Sequence, residues 1–463
     1  MNVVLVSTYE LGRQPFGVAS PAAWLRREGC EVTCVDLAVE TLSERAFADA
    51  DLIALYVPMH TATRLATGIV GKIRAINPGA HLCFYGLYAP INADYLRKLG
   101  GETILGGEFE EGLQTLVRRL SSKGAGESGF PGGQQPEPII SLARQQFLIP
   151  DRSGLPGLDR YARLHVDDGD LRTVGYTEAS RGCKHLCRHC PIVPIYEGRF
   201  RIVQREVVLA DVRQQVSAGA RHITFGDPDF FNGPTHGVAV VRDLRSEFPD
   251  VTYDVTIKIE HILKCREYLP VLRDTGCLFV TSAVEAVDDR VLTILDKRHT
   301  RAGFVEAAHL CRDAGVWLNP TFVTFTPWIT REGYLDLLRT VLDLDLLDHV
   351  ASVQYAIRLL IPNRSKLLEL EEVRAIAGPF DEGRLIYPWV HRDPGVDRLY
   401  DDVMTIVKEA QRLEWDRREV FRRVWSLAEA ACERSTKSRL DVAALDRALP
   451  RATVPYLTEP WYC

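Results

Sequence analysis

Short apolar runs alternate with amphipathic stretches of helix length along residues 1–120. NVVLVS, EVTCVDLA, DLIALYVPM, HLCFYGLYA and ETILGG read as strands. VASPAAWLRREG, TRLATGIVGKIRAIN and EFEEGLQTLVRRL read as helices, the first ending at Gly29 and the second stopped by Pro78 and Gly79. Strands alternating with helices predict a parallel sheet covered on both faces, here a flavodoxin-like, doubly wound α/β domain. Ligands of such sheets sit beyond the carboxyl ends of the strands. That edge carries Ser7–Tyr9, Pro58–His60, Gly86–Pro90 and Gly106–Glu108.

The alternation lapses over 121–138, SSKGAGESGFPGGQQPEP, whose Gly, Ser, Pro and Gln read as a linker or loop. A connector rich in Pro and Gly follows to residue 171, with Leu and Tyr suited to docking on a surface. Over 172–362 the pattern resumes with TVGYTEAS, HITFGDP, TYDVTIKIE, CLFVTSAVE, VWLNPTFVTF and SVQYAIRLLIP as six strands. Six βα repeats predict a partial (β/α)6 barrel with its chemistry at the strand carboxyl ends. Residues 363–463 read as a helical C-terminal region, carried by SKLLELEEVRAIAG, DRLYDDVMTIVKEAQRLEW and REVFRRVWSLAEAACERS, with a non-helical aromatic tail ending in Cys463.

Composition changes this picture only by exclusion. With 463 residues and 46% hydrophobic content the chain has ample core for several domains. A net charge of −6 offers no broad basic field for nucleic acid or an anionic membrane. No apolar run approaches a bilayer span, and MNVVLVSTYE has no basic n-region, so neither a membrane helix nor a signal peptide is expected. Eleven cysteines scattered over a long chain without an export signal point to reduced thiols in a cytoplasmic protein.

Three of those cysteines stand together in SRGCKHLCRHCP, where Cys183, Cys187 and Cys190 follow C-x3-C-x2-C directly after the first barrel strand. Thiolates are soft ligands for zinc or iron–sulfur clusters. A structural zinc ion wants four closed ligands, and His185 or His189 inside the motif would complete such a set. A [4Fe–4S] cluster normally takes four thiolates, so three leave one iron open for chemistry. The spacing, the place after strand one and the lack of a second nearby C-x2-C fit the cluster.

GCKHLCRHC resembles the signature of radical S-adenosylmethionine (SAM) enzymes, and the resemblance covers roughly residues 170–362. It implies that Cys183, Cys187 and Cys190 hold a [4Fe–4S] cluster and that SAM chelates the fourth iron. An electron from the cluster then breaks a carbon–sulfur bond of SAM. It implies further a small-molecule substrate and a reducing partner such as flavodoxin or ferredoxin. Residue by residue, His189 takes the place of an aromatic lying against adenine, a modest departure. FGDPD stands where the family has a Gly-Gly-Glu-like segment for the SAM amino group, offering Gly226, Asp227 and Asp229, with Asp227 foremost. Ser282 and Glu285 stand where a polar residue meets the ribose, Glu285 being otherwise a helix cap or a solvated carboxylate. Asn319 in an apolar strand is a ligand contact or a structural hydrogen bonder. Arg358, likewise set among apolar residues, needs an acidic partner or the carboxylate of SAM. Lys258 and Glu260 are mutual partners or substrate contacts.

A flavodoxin-like domain before such a barrel resembles the cobalamin-binding subclass, and GGEFEEGL resembles its recurrent Gly-Gly-Glu segment. The D-x-H-x-x-G motif is missing, since YELGRQPFG near its place has no His. Two outcomes are open: cobalamin bound without a His ligand, or a retained fold without the cofactor. EASRGCKHLCRHCPIVP, IRLLIPNRSKLLEL and the terminal Cys463 resemble a subgroup with Cys-Sec-Ala-Glu-Pro or Cys-Cys-Ala-Glu-Pro tails. A sister branch transfers the 3-amino-3-carboxypropyl group of SAM to arsenite in arsinothricin biosynthesis. Cys463 is thereby implied as a catalytic thiol for a soft acceptor, although the sequence stops before a second thiol or selenol.

The expected function is reductive cleavage of SAM with transfer of a SAM-derived group to a small acceptor. Within it, 3-amino-3-carboxypropyl transfer to trivalent arsenic competes with cobalamin-dependent methyl transfer. An iron–sulfur electron carrier or sensor and a structural zinc protein are the readings from other classes.

Overall fold

Each apolar run of the first 120 residues becomes a strand. In the computed structural model, which describes residues 1–122, 136–167, 169–432 and the backbone of 456–457, they form β1 (Asn2–Ser7), β2 (Glu31–Asp36), β3 (Leu52–Tyr56), β4 (His81–Tyr85) and β5 (Thr103–Gly107). All are parallel, in the order β2-β1-β3-β4-β5, with β6 (Ile140–Ser141) added beside β5. This is the flavodoxin-like order, with its switch point between β1 and β3. Helices Phe16–Arg27 and Glu110–Ser122 pack on one face and helix His60–Ile76 on the other. The strand β6 lies just past the stretch expected as a linker. The end of that stretch is docked as well, because Glu137 is fully buried and forms a forked pair with Arg119 at 2.7 and 3.0 Å.

The second sheet contains β7 (Arg163–Asp167), β8 (Asp170–Thr177), β11 (His222–Phe225), β12 (Thr252–Thr256), β13 (Cys277–Glu285) and β14 (Trp317–Phe322); a small hairpin pairs β9 (Ser180–Gly182) with β10 (Phe200–Ile202). β8, β11, β12, β13 and β14 are neighbouring parallel strands of a half barrel backed by helices. The sixth position is reduced. Ser352–Ala356 form a 3-10 turn, and only a parallel bridge between Phe325 and Arg358 continues the barrel. The reason is local: the Gln354 side chain accepts the Phe322 N–H at 2.8 Å, a bond that a full sixth strand would have made with its backbone.

Two strands at the other edge were not expected. β7 is antiparallel to β8, and β15 (Tyr456–Leu457) is antiparallel to β7. β15 therefore runs in the same direction as β8, toward the carboxyl end of the barrel. Of the C-terminal helices, Pro394–Leu413 and Arg417–Ala431 form as expected. SKLLELEEVRAIAG gives only a turn at Lys366–Glu369 and a short helix at Glu371–Arg374, because Leu367 and Val373 anchor it to Leu359, Ile361 and Trp389. Cys463 and most of the expected linker lie outside the described residues. No helix among the described residues is long and apolar enough to cross a membrane, and the cysteines described are free thiols.

Candidate active site

The cysteine segment leaves β8 at the carboxyl end of the half barrel and is fixed from both sides. Gly182, just before Cys183, has φ +75°, and a Cβ there would meet the Tyr196 ring at 2.3 Å, so the approach needs glycine. Asn232 takes the Lys184 N–H at 3.2 Å and donates to the Gly182 carbonyl at 3.3 Å. On the far side the Arg188 N–H reaches the Leu295 carbonyl at 3.0 Å and its guanidinium the Ile294 carbonyl at 2.6 Å. Burial pushes the Cys183 thiol up to about 11 and the Cys190 thiol up to about 12, Cys190 being raised further by the Cys187 sulfur. Two buried thiols reluctant to ionise alone, with a third beside them, suit a bound cationic centre that takes up thiolate charge. The donor set thus fits an iron–sulfur cluster held by Cys183, Cys187 and Cys190.

Beside them stands a buried Lys297. Burial opposes its charge, but Glu285 at 3.2 Å, followed by the Cys187 and Cys190 sulfurs, raises its pKa. Glu285 itself ends β13 with φ +69°, a conformation rare for a non-glycine residue. Its carboxylate also contacts His189 Nε2 at 3.0 Å. Burial pulls the Glu285 carboxyl upward, but Lys297 and His189 together hold it far below the usual range. Glu285 is therefore neither a helix cap nor solvated; with His189 and Lys297 it forms a charged triad against the cysteine loop.

The FGDPD segment corrects the sequence expectation in part. A Cβ on Gly226 would fall 1.8 Å from the Tyr176 hydroxyl, so Gly226 is required by packing. Asp227 accepts the Ala179 N–H at 2.9 Å and the Ser180 hydroxyl at 2.5 Å, with burial pushing its carboxyl up to about 7. Asp227 thus anchors the start of the cysteine segment, with both carboxylate oxygens taken by that segment. Asp229 caps a turn through Phe231 N–H at 3.1 Å and aims its other oxygen at His185 and His261.

Ser282 lies off the barrel interior by strand alternation, its fully buried Oγ without a partner. It shares the helix-packed face of β13 with Val280 and Val284, both part of the main core. Arg358 is likewise corrected, for its guanidinium pairs with Asp397 at 2.8 Å, donates to the Trp389 carbonyl and lies 3.8 Å over the Trp389 ring. Asn319, opposite Thr281 in register, keeps a buried Oδ1 without a partner. Lys258 Nζ and both ring nitrogens of His299 are orphaned in the same way. His299 is held down to about 4 by burial and by the charges of Lys297 and Lys258. Buried polar atoms seldom go unpaired, and such a group marks a place for a ligand or water. Lys297, His299 and His261 were missed by the sequence reading, since a lone Lys or His in a loop carries no spacing signal. Lys258 and Glu260 are 3.6 Å apart, with Glu260 also bound to Lys264.

The carboxyl edge of the first sheet faces this barrel. Arg181, two residues before Cys183, contacts Glu110 and Glu178 at 2.7 Å each and Glu108 at 3.4 Å. Its guanidinium also lies 4.9–5.5 Å from the ring centroids of Phe147, Phe109 and Phe16. Burial pushes Glu108 up to about 7 against the pull of Arg181. Behind this knot Tyr56, Tyr85 and Phe109 stack at 5.0–5.9 Å, and the Tyr56 ring lies 2.0 Å from where a Cβ of Gly17 would stand. The Gly17 backbone therefore packs directly against the Tyr56 ring, which a side chain at position 17 would displace.

Comparison with known proteins agrees with this geometry. Residues 177–341 match the radical SAM superfamily, a family that uses a [4Fe–4S] cluster and SAM. The chain is 24% identical over 244 residues to a tRNA-2-methylthio-N(6)-dimethylallyladenosine synthase of Desulfosudis oleivorans, covering 50% of this chain and 51% of that protein. It is 26% identical over 218 residues to the enzyme of the same name from Fusobacterium nucleatum, covering 42% of this chain and 46% of that protein. The matches therefore span about half the length of these curated relatives. Among solved structures, the cobalamin-dependent SAM radical enzyme OxsB with aqua-cobalamin and SAM bound superposes with a TM-score of 0.70 at 15% identity, covering 93% of this chain and 71% of that one. The radical SAM methyltransferase TsrM from Kitasatospora setae, with tryptophan and aza-SAM bound, gives a TM-score of 0.62 at 18% identity, covering 74% and 71%. Both likenesses are of fold. Residues 177–341 carry the match to a radical SAM superfamily domain.

Proposed function

We propose that this enzyme cleaves SAM reductively at the mouth of its half barrel and transfers the 3-amino-3-carboxypropyl group to a small acceptor, with methylthioadenosine as the other product. The observation that carries this reading is the placement of Cys183, Cys187 and Cys190 at the carboxyl end of the barrel, with orphaned polar atoms of Lys258, His299 and Asn319 in the same barrel. A [4Fe–4S] cluster held there supplies the electron for breaking the carbon–sulfur bond. Lys297 balances the charge of the thiolates, and the Glu285–His189 contact fixes the loop between them. Lys258 and His299 offer donors, and Asn319 Oδ1 an acceptor, to the polar end of SAM. The electron comes from a one-electron donor such as flavodoxin or ferredoxin.

Trivalent arsenic is the acceptor suggested by the resemblance of the tail. A second reading, cobalamin-dependent methyl transfer, is favoured by the flavodoxin-like strand order and by fold likeness to two enzymes whose structures hold cobalamin or SAM analogues. Anaerobic turnover of reconstituted protein with SAM, with and without cobalamin and arsenite, separates them by mass analysis. Methylthioadenosine formed without cobalamin supports the first reading. Release of 5′-deoxyadenosine with a cobalamin-dependent methylated product supports the second, and neither product defeats both.

A further inference from the structure

Next to the cysteine segment, three buried side chains from three different elements aim single atoms at one point. His185 comes from between Cys183 and Cys187, Asp229 from the loop after β11, and His261 from helix Ile259–Lys264 after β12. They are 6%, 1% and 3% exposed, and one donor atom of each lies within 4.8 Å of the others. His185 Nε2 stands 3.3 Å and His261 Nδ1 2.6 Å from the same oxygen, Asp229 Oδ2. Despite these distances, none of the three atoms makes a hydrogen bond of sound geometry.

We propose that His185, Asp229 and His261 bind one divalent first-row transition cation, at a site distinct from the cluster held by the cysteines. Two imidazoles and a carboxylate are a donor set for zinc or iron(II), whereas the three thiols are a softer one. Donors bonded to zinc at about 2.0–2.2 Å stand roughly 3 Å apart, close to the spacing already present. The other nitrogen of His185, Nδ1, lies 3.4 Å from Glu260 Oε2, an oxygen without a hydrogen bond of its own, and metal-bound histidines usually give that second N–H to a carboxylate.

Hydrogen bonds within the trio do not account for it, because His185 Nε2, Asp229 Oδ2 and His261 Nδ1 make none of sound geometry. A cation between them takes up the Asp229 charge and gives each of the three atoms a partner. Lys258 is itself offset by Glu260 at 3.6 Å, which leaves the Asp229 charge for the ion. Three protein donors also leave coordination positions free, as catalytic zinc sites do, so the ion has room for an oxygen or nitrogen donor of a small molecule. This proposal does not depend on which SAM bond is cleaved.

The test uses the full chain with its cluster reconstituted anaerobically, incubated with Zn2+ and desalted. Metal analysis and zinc X-ray absorption are the readouts. The expected result is one zinc per chain in a shell of nitrogen and oxygen alone, at about 2.0–2.1 Å with no sulfur near 2.3 Å. His261→Ala should lose the zinc while keeping its iron and cluster absorbance, and Glu260→Gln should weaken zinc binding about 10- to 100-fold. If His261→Ala does not fold, the wild-type scattering decides. No retained zinc in the wild type, sulfur in its shell, or full zinc in a folded His261→Ala protein would overturn the proposal.

Discussion

Replacing Arg181 by Met removes the cation that pairs with three carboxylates at the junction of the two sheets and leaves the aromatic rings around it in contact with apolar surface. Glu110 is fully buried, Glu108 is 1% exposed and Glu178 14% exposed on their side chains. Taking one partner from a buried ion pair costs about 3–5 kcal/mol, because the remaining charge is stranded. For a folding unit of 150–250 residues each kcal/mol is about 2–4 °C in Tm, so the expected fall is roughly 6–20 °C. The loss has a pH signature. Glu108 already sits up to about 7 because of burial, above its ordinary value of 4.5. Its contribution to stability is present below 4.5 and lost as pH rises through about 7. Without Arg181 both Glu108 and Glu178 rise further, so both take protons readily at pH 6 and strand charge at pH 8.5. Thermal unfolding followed by near-ultraviolet circular dichroism at both pH values reads the difference. A fall under about 2 °C at pH 8.5, where even 3 kcal/mol predicts more, would refute the reasoning, and so would equal falls at the two pH values.

Cys187→Ala should abolish SAM cleavage and leave the reconstituted protein short of cluster absorbance; full absorbance with full turnover would remove Cys187 from the ligand set. Asp227→Asn should leave SAM affinity unchanged in equilibrium dialysis. Because Asp227 is raised to about 7 from 3.8, its stabilising contribution is full below 3.8 and lost as pH rises through 7. The Asn variant should therefore show a flatter stability profile between those limits in urea titrations, and an unchanged slope counts against the anchor role. Arg358→Ala should cost about 1–3 kcal/mol through its ion pair with Asp397 and its stacking on Trp389. Its SAM affinity should stay as in the wild type, and a selective loss of SAM binding would return Arg358 to the ligand site.

Periodicity made the alternating strands and helices legible because parallel strands covered on both faces must be apolar along their length, as LIALY in β3 shows. The sixth barrel strand was misread because SVQYAIRLLIP has the same apolar content, while the Gln354 side chain decides its backbone path. The cysteine motif was legible because its spacing is fixed by one local loop. Lys297, His299 and His261 were not, since the first two come from the loop before helix Arg301–Ala314 and the third from helix Ile259–Lys264, and only folding brings them to the cysteine loop. Asp227 and Asp229 differ in the same way, two residues apart in sequence yet turned to different partners by the chain after β11. Ser282 was assigned to the wrong face because the alternation of β13 is hidden by apolar residues on both sides. Arg358 needed Asp397 and Trp389, both more than 30 residues further along the chain.

The central claim is that SAM meets a cluster held by Cys183, Cys187 and Cys190 at the barrel mouth. Electron–nuclear double resonance on the reduced, reconstituted protein with SAM labelled by 15N at its amino group and 17O at its carboxylate tests it most directly. The account predicts hyperfine coupling of both labels to the cluster in the wild type and none in Cys187→Ala. A wild-type protein whose cluster shows no coupling to either label, or which binds zinc at the three cysteines in place of iron, would contradict it.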